Sequence, residues 1–273
     1  MEPPITSVQN GWIKSLKRLH HASERHEQKR FLIEGPHLVE EAIATQWPLE
    51  AICYSLEWGY ANQRHLSRLA KTSNKILLQP VAERVLKQLS TTDSACSVIA
   101  IASLIDPYST SLDKLTLAVA VESLQDPGNL GALIRIAAAS GASPVILGPD
   151  CVDATNPKVL RSTAGQWFRS PPIVADLVAM IRLQRALGVQ VLAAAADGDS
   201  FWEADFQGPT LFVLGNEGAG LSLELRSECS GVISIPMAKG VESLNVSIAG
   251  ALLLFEAKRQ RNILARNVAS SSI

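Results

Sequence analysis

The sequence predicts an α/β fold in two domains, a small α/β domain followed by a larger domain built on a parallel sheet. The length of 273 residues exceeds the roughly 100 to 200 residues of one average domain. In the second half, apolar segments of strand length are separated by helical segments, which is typical of a parallel sheet covered on both faces. Polar, turn-forming residues at 106–111 give the best linker candidate. We therefore predict domains at 1–105 and 115–273, joined by a linker at 106–114.

The first domain is predicted from alternating helical and extended patterns. Helical patterns cover residues 9–22, 36–45 and 81–89. Extended apolar patterns cover residues 31–33, 49–54, 75–78 and 95–102. Pro36 lies near the start of the second helix, where proline is well tolerated. These elements make a small α/β unit of about 100 residues, within the usual size of one domain.

The second domain is predicted from more regular patterns. Its apolar strands cover residues 116–121, 144–147, 189–195, 210–214 and 232–235. The last segment, residues 245–261, is an apolar helix that turns basic at Lys258, Arg259 and Arg261. Cations at a helix C-terminus are favoured by the helix dipole. We expect this helix to be either a core helix or half of a dimer interface.

Composition excludes several classes of protein. The sequence is 47% hydrophobic and 19% charged, which is typical of a globular protein with a sizeable core. No apolar run reaches the roughly 18 to 20 residues of a membrane span, and the first ten residues show no signal peptide. We therefore expect a cytoplasmic protein with no membrane contact. The four cysteines are far apart and form no CxxC pair, so we expect neither a zinc site nor disulfides, and no metal.

The distribution of charge is more informative than the net charge of -1. Residues 1–105 carry 12 Lys plus Arg against 10 Asp plus Glu, whereas residues 106–273 carry 13 against 16. Six of the basic residues lie within the first 30 positions: Lys14, Lys17, Arg18, Arg25, Lys29 and Arg30. Such a patch suits RNA phosphates, although it is also common on a solvated helix face. All five histidines precede residue 70, which excludes a histidine base from the second half.

Three segments of the second half concentrate glycine, asparagine and charge directly after strands, where open α/β sheets bind ligands. Residues 124–131 read LQDPGNLG and precede a helix with Arg135. On these residues alone, a plain strand-to-helix turn with Asn129 as the N-cap explains the segment. An arginine two turns into a helix is also commonly a solvent-facing charge.

The second segment, LGNEGAGLS at residues 214–222, has glycines at 215, 218 and 220. This order fits neither a dinucleotide fingerprint nor a P-loop, but it lets the backbone approach a small ligand closely. Glu217 would repel a phosphate and suits a ligand with positive charge.

The third segment, IPMAKGVESLNVS at residues 235–247, leads into the final helix. Ser243, Asn245 and Ser247 are all good N-cap residues, so helix capping alone could explain any one of them.

In this order, the three segments resemble the three motifs of the SpoU family of RNA 2'-O-methyltransferases, within the knotted SPOUT class. The matching features are the six-residue step from Asn129 to Arg135, the GNEGAG core at 215–220, and IPM at 235–237 followed by SLNVS at 243–247. The resemblance covers residues 115–262. The first half is similar to the family's substrate-binding domain, which resembles ribosomal protein L30e, chiefly through FLIEGPHLVEEA at 31–42.

The resemblance implies a SPOUT domain with a deep trefoil knot, an exception to the general rarity of knots, and an L30e-like N-terminal domain. It implies an S-adenosylmethionine-dependent RNA 2'-O-ribose methyltransferase that works as a homodimer. Relatives with this N-terminal domain tend to modify large-subunit (23S) rRNA, so we expect that substrate. Cofactor binding is implied for eleven residues: Leu214, Gly215, Asn216, Glu217, Gly218, Gly220, Ile235, Pro236, Met237, Ser243 and Leu244.

The resemblance also assigns catalytic roles. The implied catalytic residues are Arg135, Asn129, Glu217, Ser243 and Asn245. Asn129 would order the first loop and the substrate, Glu217 would orient the arginine or the ribose, and the last two would complete the pocket. The family assigns proton removal to Arg135, but a guanidinium is not expected to lose its own proton. Two roles therefore stay open for Arg135: a perturbed base, or a group that positions phosphate and hydroxyl and so also binds RNA.

Four other functions are weighed against this one. The same fold could methylate tRNA, or it could bind RNA without catalysis, although all five implied catalytic residues are present. The glycine order argues against a dinucleotide oxidoreductase. A methyltransferase for small molecules is disfavoured by the additional N-terminal domain with its basic start.

Overall fold

The computed structural model describes residues 3–72, 76–92, 96–105, 115–216 and 218–270. The chain forms two compact units. The first unit comprises Met1–Asp106 and Thr155–Arg169, and the second comprises Pro107–Ala154 and Ser170–Ile273. The predicted linker at 106–114 lies outside the described residues. The segment Thr155–Arg169, which the sequence analysis assigned to the second domain, packs with the first unit instead.

The first unit is a four-stranded sheet with helices. Its strands are β1 (Arg30–Glu34), β2 (Leu49–Tyr54), β3 (Leu77–Pro80) and β4 (Val98–Ser103). Its helices are α1 (Gly11–Arg18), α2 (Ala22–Gln28), α3 (Pro36–Ala44), α4 (Leu56–Ala61), α5 (Gln63–Thr72), α6 (Glu83–Leu89) and α8 (Pro157–Ser162). The strand order is β1-β4-β2-β3. Strand β4 runs antiparallel to β1 and β2, whereas β3 is parallel to β2. The predicted strands at 31–33 and 49–54 are confirmed.

The prediction of a single helix over residues 9–22 is wrong, because the helix is interrupted between α1 and α2. Asn10 caps α1, accepting hydrogen bonds from Trp12 N and Ile13 N. His21 is extended, with φ -90° and ψ 135°. The Arg25 guanidinium donates to Leu19 O and His20 O, both at 2.9 Å. Since these carbonyls lie beyond the end of α1, the arginine satisfies acceptors that a continuous helix would have paired itself.

The segment Thr155–Arg169 is held in the first unit by polar and aromatic contacts. Arg161 Nη1 lies 3.2 Å from Glu34 Oε2 and 2.9 Å from Thr91 Oγ1. The Trp167 ring packs edge-on at 4.9 Å from Trp47 and 5.2 Å from Phe31, measured between ring centroids. Such aromatic pairs stabilise a fold beyond their burial alone. The segment therefore completes the hydrophobic core of the first unit.

The second unit is a parallel sheet with helices, as predicted. Its strands are β5 (Leu117–Val121), β6 (Ile146–Leu147), β7 (Ile173–Val174), β8 (Gln190–Ser200), β9 (Thr210–Leu214) and β10 (Gly231–Ser234). Its helices are α7 (Pro127–Ser140), α9 (Leu177–Ala186), α10 (Leu223–Glu228) and α11 (Val246–Ser270). The order is β10-β8-β9-β5-β6-β7, and every neighbouring pair is parallel. The central strands β5 and β9 are buried along their whole length, which explains their uniformly apolar sequences.

Helix α11 packs closely on α7. A Cβ added at Gly250 would lie 2.5 Å from Leu133 Cδ1, so the absence of a side chain permits this approach. Lys258 Nζ donates to Ala139 O at 2.8 Å and thereby satisfies a carbonyl at the end of α7. One face of α11 is thus a core face, as one of the two sequence interpretations expected.

Candidate functional site

Three loops of the second unit lie at one edge of its sheet. They follow β5, β9 and β10, and because these strands are parallel members of one sheet, their carboxyl ends lie at the same edge. This is the edge at which open α/β sheets bind ligands. We name the loops the first loop (residues 122–126), the second loop (residues 215–222) and the third loop (residues 235–245).

The first loop is shaped by its own side chains. Asp126, and not Asn129, is the N-cap of α7, because its Oδ1 accepts from Asn129 N at 2.8 Å. The alternative that Asn129 serves as the cap is therefore wrong, and its side chain is not used for capping. Ser123 has a φ of 52°, an unfavourable value for a residue other than glycine that often marks a functional site.

The second loop is a tight turn organised by Asn216. Its backbone pairs with Gly220 in both directions, at 2.9 and 3.0 Å. Its side-chain Oδ1 accepts from Gly218 N at 2.9 Å and Ala219 N at 3.1 Å. A Cβ added at Gly215 would lie 2.2 Å from Gly220 C, so only glycine allows the two ends of the turn to meet. Glu217 lies outside the described residues.

The third loop has an open backbone and ends in a helix cap. In the described part of the chain, the backbone of residues 236–244 forms one hydrogen bond, from Val241 N to Ala238 O at 3.2 Å. Ser243 and Leu244 are exposed. Asn245 Oδ1 accepts from Ser247 N at 3.0 Å and Ile248 N at 3.3 Å. Asn245 therefore does cap α11, as the capping interpretation expected.

Side-chain hydrogen bonds join the three loops. Asn216 Nδ2 donates to Ser123 O at 2.8 Å, between the second loop and the first. Ser222 N donates to Glu122 Oε2 at 2.8 Å, between the same two loops. Asn245 Nδ2 donates to Asn129 Oδ1 at 2.8 Å, between the third loop and the start of α7. The residues predicted from three separated segments thus belong to one connected site.

Glu122, Ser123 and Ser222 were missed by the sequence analysis, although they take part in these bonds. The available signal was Glu122 itself, an acidic residue directly after the buried strand β5. The half-buried carboxylate at the carboxyl end of this strand accepts the backbone N-H of Ser222. Nothing in the sequence identified Ser123, because its part is played by its backbone carbonyl.

Arg135 lies in the third turn of α7, exposed to solvent. Its neighbours Leu133 and Ile134 are buried in the core. Within the described ranges, no residue forms a hydrogen bond or an ion pair with the Arg135 guanidinium. A charge held on a helix, with no counterion among the residues that the structure describes, is available to an external anion such as a phosphate.

The six basic residues predicted to bind RNA belong to the first unit and differ in their exposure. Lys14, Lys17, Arg18 and Lys29 are exposed. Arg18 forms an ion pair with Glu24, and Arg30 lies 3.3 Å from Glu50. Arg25 is buried, with Nε donating to Thr155 Oγ1 at 3.0 Å. Arg25 therefore has a structural role, and its guanidinium is shielded from solvent and from RNA phosphates.

The cysteines are not placed for chemistry. All four are free thiols. Burial raises the pKa of Cys53 to about 12 and that of Cys229 to about 11, so both stay protonated at neutral pH. No group of side chains suited to a metal ion occurs among the described residues. Within the same residues, no helix is long and apolar enough to cross a membrane.

Two family models match the chain. Residues 116–255 match the SpoU rRNA Methylase family, and residues 10–100 match the MRM3-like substrate binding domain. The first match contains all three loops, and the second contains most of the first unit.

Individual relatives match over nearly the whole chain. An uncharacterized tRNA/rRNA methyltransferase of Synechocystis is 37% identical, with 94% of each chain covered. The 23S rRNA (guanosine(2553)-2'-O)-methyltransferase RlmP of Bacillus subtilis is 31% identical over 92% of this chain and 97% of its own. The crystal structure of an AdoMet-bound rRNA methyltransferase from Sinorhizobium meliloti is 32% identical, with a TM-score of 0.81 and coverage of 94% and 97%.

Proposed function

Because the chain belongs to the SpoU rRNA methylase family, we propose that it transfers the methyl group of S-adenosylmethionine to a ribose 2'-hydroxyl of large-subunit rRNA. The observation that carries this proposal is a pair of hydrogen bonds at one edge of the parallel sheet. Asn216 bonds the second loop to Ser123 of the first loop, and Asn245 bonds the third loop to Asn129 at the start of α7. Relatives named as 23S rRNA 2'-O-methyltransferases support the reaction and the substrate. The substrate in turn implies a cytoplasmic place of action.

The second and third loops fit S-adenosylmethionine. The contact between Gly215 and Gly220 leaves no room for a side chain, and residues 236–244 leave backbone donors and acceptors open within the described chain. Backbone groups of this kind suit an adenine and a ribose, both of which offer uncharged hydrogen-bond donors and acceptors. The residues that would hold the cofactor are Leu214, Gly215, Asn216, Gly218, Gly220, Ile235, Pro236, Met237, Ser243 and Leu244, with Glu217 as a further member of the second loop.

In the proposed reaction, the bound cofactor supplies an electrophilic methyl group on its sulfonium. Asn129 and Asn245 hold each other at 2.8 Å and thereby fix the start of α7 against the third loop. Arg135 lies two turns further along the same helix, so its position relative to the loops is fixed by the helix backbone. We assign to Arg135 the positioning of the substrate phosphate and 2'-hydroxyl, or the removal of the hydroxyl proton. Glu217 would orient the arginine or the ribose, and Ser243 and Asn245 would complete the pocket. Fixed orientation of reacting groups supplies a large part of such a rate enhancement.

RNA binding is assigned to the first unit, whose family model is a substrate-binding domain. Lys14, Lys17, Arg18 and Lys29 carry exposed positive charge, and Arg30 shares its charge with Glu50. These side chains suit the phosphate backbone, which supplies affinity without sequence specificity. Arg25 is excluded from this set by its burial.

A homodimer is proposed from the outer face of α11. Ile248, Leu252 and Phe255 are exposed apolar residues spaced four and three apart, so they form a stripe on one face of the helix. An exposed apolar stripe on a helix whose other face is in the core is typical of an interface, and two copies pair most simply about a two-fold axis. The deep trefoil knot of the SPOUT class is proposed together with this fold.

The proposal is tested by incubating the purified protein with methyl-labelled S-adenosylmethionine and either unmodified large-subunit rRNA or unmodified tRNA. We expect label in the rRNA and none above background in the tRNA. Label in tRNA alone would show that the substrate is tRNA and not rRNA. No label in either RNA, with cofactor binding intact by calorimetry, would favour a non-catalytic RNA-binding protein.

A further inference from the structure

The first unit contains a cavity that is separate from the three loops and is not used in the proposed reaction. The cavity measures about 280 Å³ and lies between the end of β2, helices α4 and α5, and the start of the β3 region. Its lining residues include Tyr54, Tyr60, Gln63, Ser67 and Leu78. The lining is mainly apolar and aromatic, with a few polar groups that could give orientation to a ligand.

The cavity is built by a close contact between α4 and β2. A Cβ added at Gly59 would lie 2.6 Å from Tyr54 Cε2, so the Tyr54 ring occupies the place of a side chain. Ser55 Oγ accepts from Trp58 N at 3.2 Å and fixes the start of α4. Leu66 of α5 is buried. The walls that α4 and α5 form are therefore fixed by packing against the hydrophobic core of the first unit.

The rim of the cavity is exposed and apolar. Tyr60 is 70% exposed, and Leu56 is also exposed. A single exposed apolar side chain is ordinary, but two beside one concave site indicate a surface that a ligand covers. The Tyr60 ring is therefore available for stacking.

The helix that forms one wall of the cavity also carries positive charge. Arg64 and Arg68 lie one turn apart on α5, and both are exposed. Across residues 55–72 the sequence contains Arg64, Arg68 and Lys71 against one acidic residue, Glu57. An apolar cavity lined by aromatic rings, beside cationic side chains, matches a nucleotide, in which an uncharged ring is joined to an anionic phosphate.

We propose that this cavity accepts an unstacked nucleobase of the substrate RNA. The base stacks on Tyr60, its edge meets the polar groups of Gln63 and Ser67, and the flanking phosphates lie near Arg64 and Arg68. This inference rests on the proposed function only in taking RNA as the substrate. Recognition of single-stranded bases by aromatic stacking is the usual way in which proteins read RNA sequence.

The test compares Tyr60→Ala with Tyr60→Phe, which keeps the ring, and with Trp202→Ala, which removes another aromatic that is 62% exposed. The methyl acceptor is an unmodified 23S rRNA transcript. We expect Tyr60→Ala to raise KM for RNA roughly tenfold, the usual effect of losing one stacked base, with kcat unchanged. Tyr60→Phe and Trp202→Ala should stay near wild type. An unchanged KM in Tyr60→Ala would overturn the proposal.

A second readout does not depend on methyl transfer. The transcript is made with 4-thiouridine, irradiated with the wild-type protein, and the cross-linked peptides are identified by mass spectrometry. Cross-links within residues 54–70 support the proposal that the cavity binds a base, even when no methyl is transferred. In that case the proposed function fails and the proposal for the cavity stands. If methyl is transferred but every cross-link lies outside residues 54–70, the proposed function stands and the proposal of a base-binding cavity is overturned. A shift from dimer to monomer in Tyr60→Ala would identify a second copy as the occupant and also overturn it.

Discussion

Asn245 combines two roles that its sequence context could not separate. Its Oδ1 caps α11, accepting from Ser247 N and Ile248 N, and its Nδ2 donates to Asn129 Oδ1. A serine can cap a helix, but its side chain is too short to reach Asn129 while it does so. The two roles can therefore be separated by substitution.

We predict that Asn245→Ser keeps the free energy of unfolding of the wild type and loses most methyl transfer. Asn245→Ala should lose most methyl transfer and also be less stable. The missing cap in Asn245→Ala should lower the free energy of unfolding by about 1 kcal/mol. Chemical denaturation measures the first quantity, and methyl transfer at saturating cofactor measures the second. A fully active Asn245→Ser variant would show that the bond to Asn129 is not needed.

Arg135 is predicted to need its planar guanidinium and not only its charge. Arg135→Lys keeps the charge but loses the fork that can contact phosphate and hydroxyl together. We expect kcat to fall about 100-fold or more, as for the loss of a donor that acts in the transition state, with cofactor affinity unchanged. Arg182→Lys, at a surface ion pair with Glu228, is the matched control. Robust turnover in Arg135→Lys would contradict both roles considered for this residue.

At the scale of the element, the second loop depends on one glycine. Gly215→Ala places a Cβ against the backbone of Gly220, so we expect the turn to open and the affinity for S-adenosylmethionine to fall at least about tenfold, as when a binding geometry is lost. Gly208→Ala, before the other end of β9, has no atom within 4 Å of the added Cβ and should bind normally. Calorimetry with S-adenosylmethionine measures both variants, and equal affinities would rule out the close contact.

Elements with strong periodicity or uniformly apolar sequence were predicted well, whereas very short elements and elements without such a pattern were not. Strands β5 and β9 are buried on both faces, so their sequences are uniformly apolar and their predicted bounds lie within one residue of the observed ones. Strand β7 has only two residues, too few for any pattern. Helices α4 and α5 were missed, because Gly59 interrupts the first and polar residues dominate the second.

The candidate site was predicted in part. The sequence identified three loops and the residue types within them, but it could not show that Asp126 caps α7 and leaves the Asn129 side chain for Asn245. It also could not identify Ser123, whose contribution to the site is a backbone carbonyl. Backbone groups carry no sequence signature, so such contacts become visible only in the folded chain.

At the scale of the whole molecule, the first unit is built from two separated parts of the sequence. Glu41 accepts from Arg169 Nε at 3.1 Å, and a Cβ added at Gly165 would lie 2.5 Å from Glu41 Cγ. These contacts join positions more than 120 residues apart. No local pattern predicts them, which explains why Thr155–Arg169 was assigned to the second domain from the sequence.

The proposed dimer makes a prediction at the same scale. Phe255→Glu places a charge on the exposed stripe of α11, so we expect the dimer dissociation constant to rise roughly 30-fold or more, the effect of losing about 2 kcal/mol at an interface centre. Leu183→Glu alters a leucine of α9 with similar exposure and should leave the dimer intact. Sedimentation velocity over a range of concentrations measures both. A dimer unchanged by Phe255→Glu would exclude this face of α11 as the interface.

The central claim is that the three joined loops direct a methyl group to a ribose oxygen of rRNA. The most direct measurement is mass spectrometry of nucleosides released from large-subunit rRNA after reaction with deuterium-labelled S-adenosylmethionine. We predict that the label is found on the ribose of one type of nucleoside, as a 2'-O-methyl group, and that it is absent after reaction with Arg135→Lys. A label on a base would contradict the account, and so would a ribose label that persists in full in the variant.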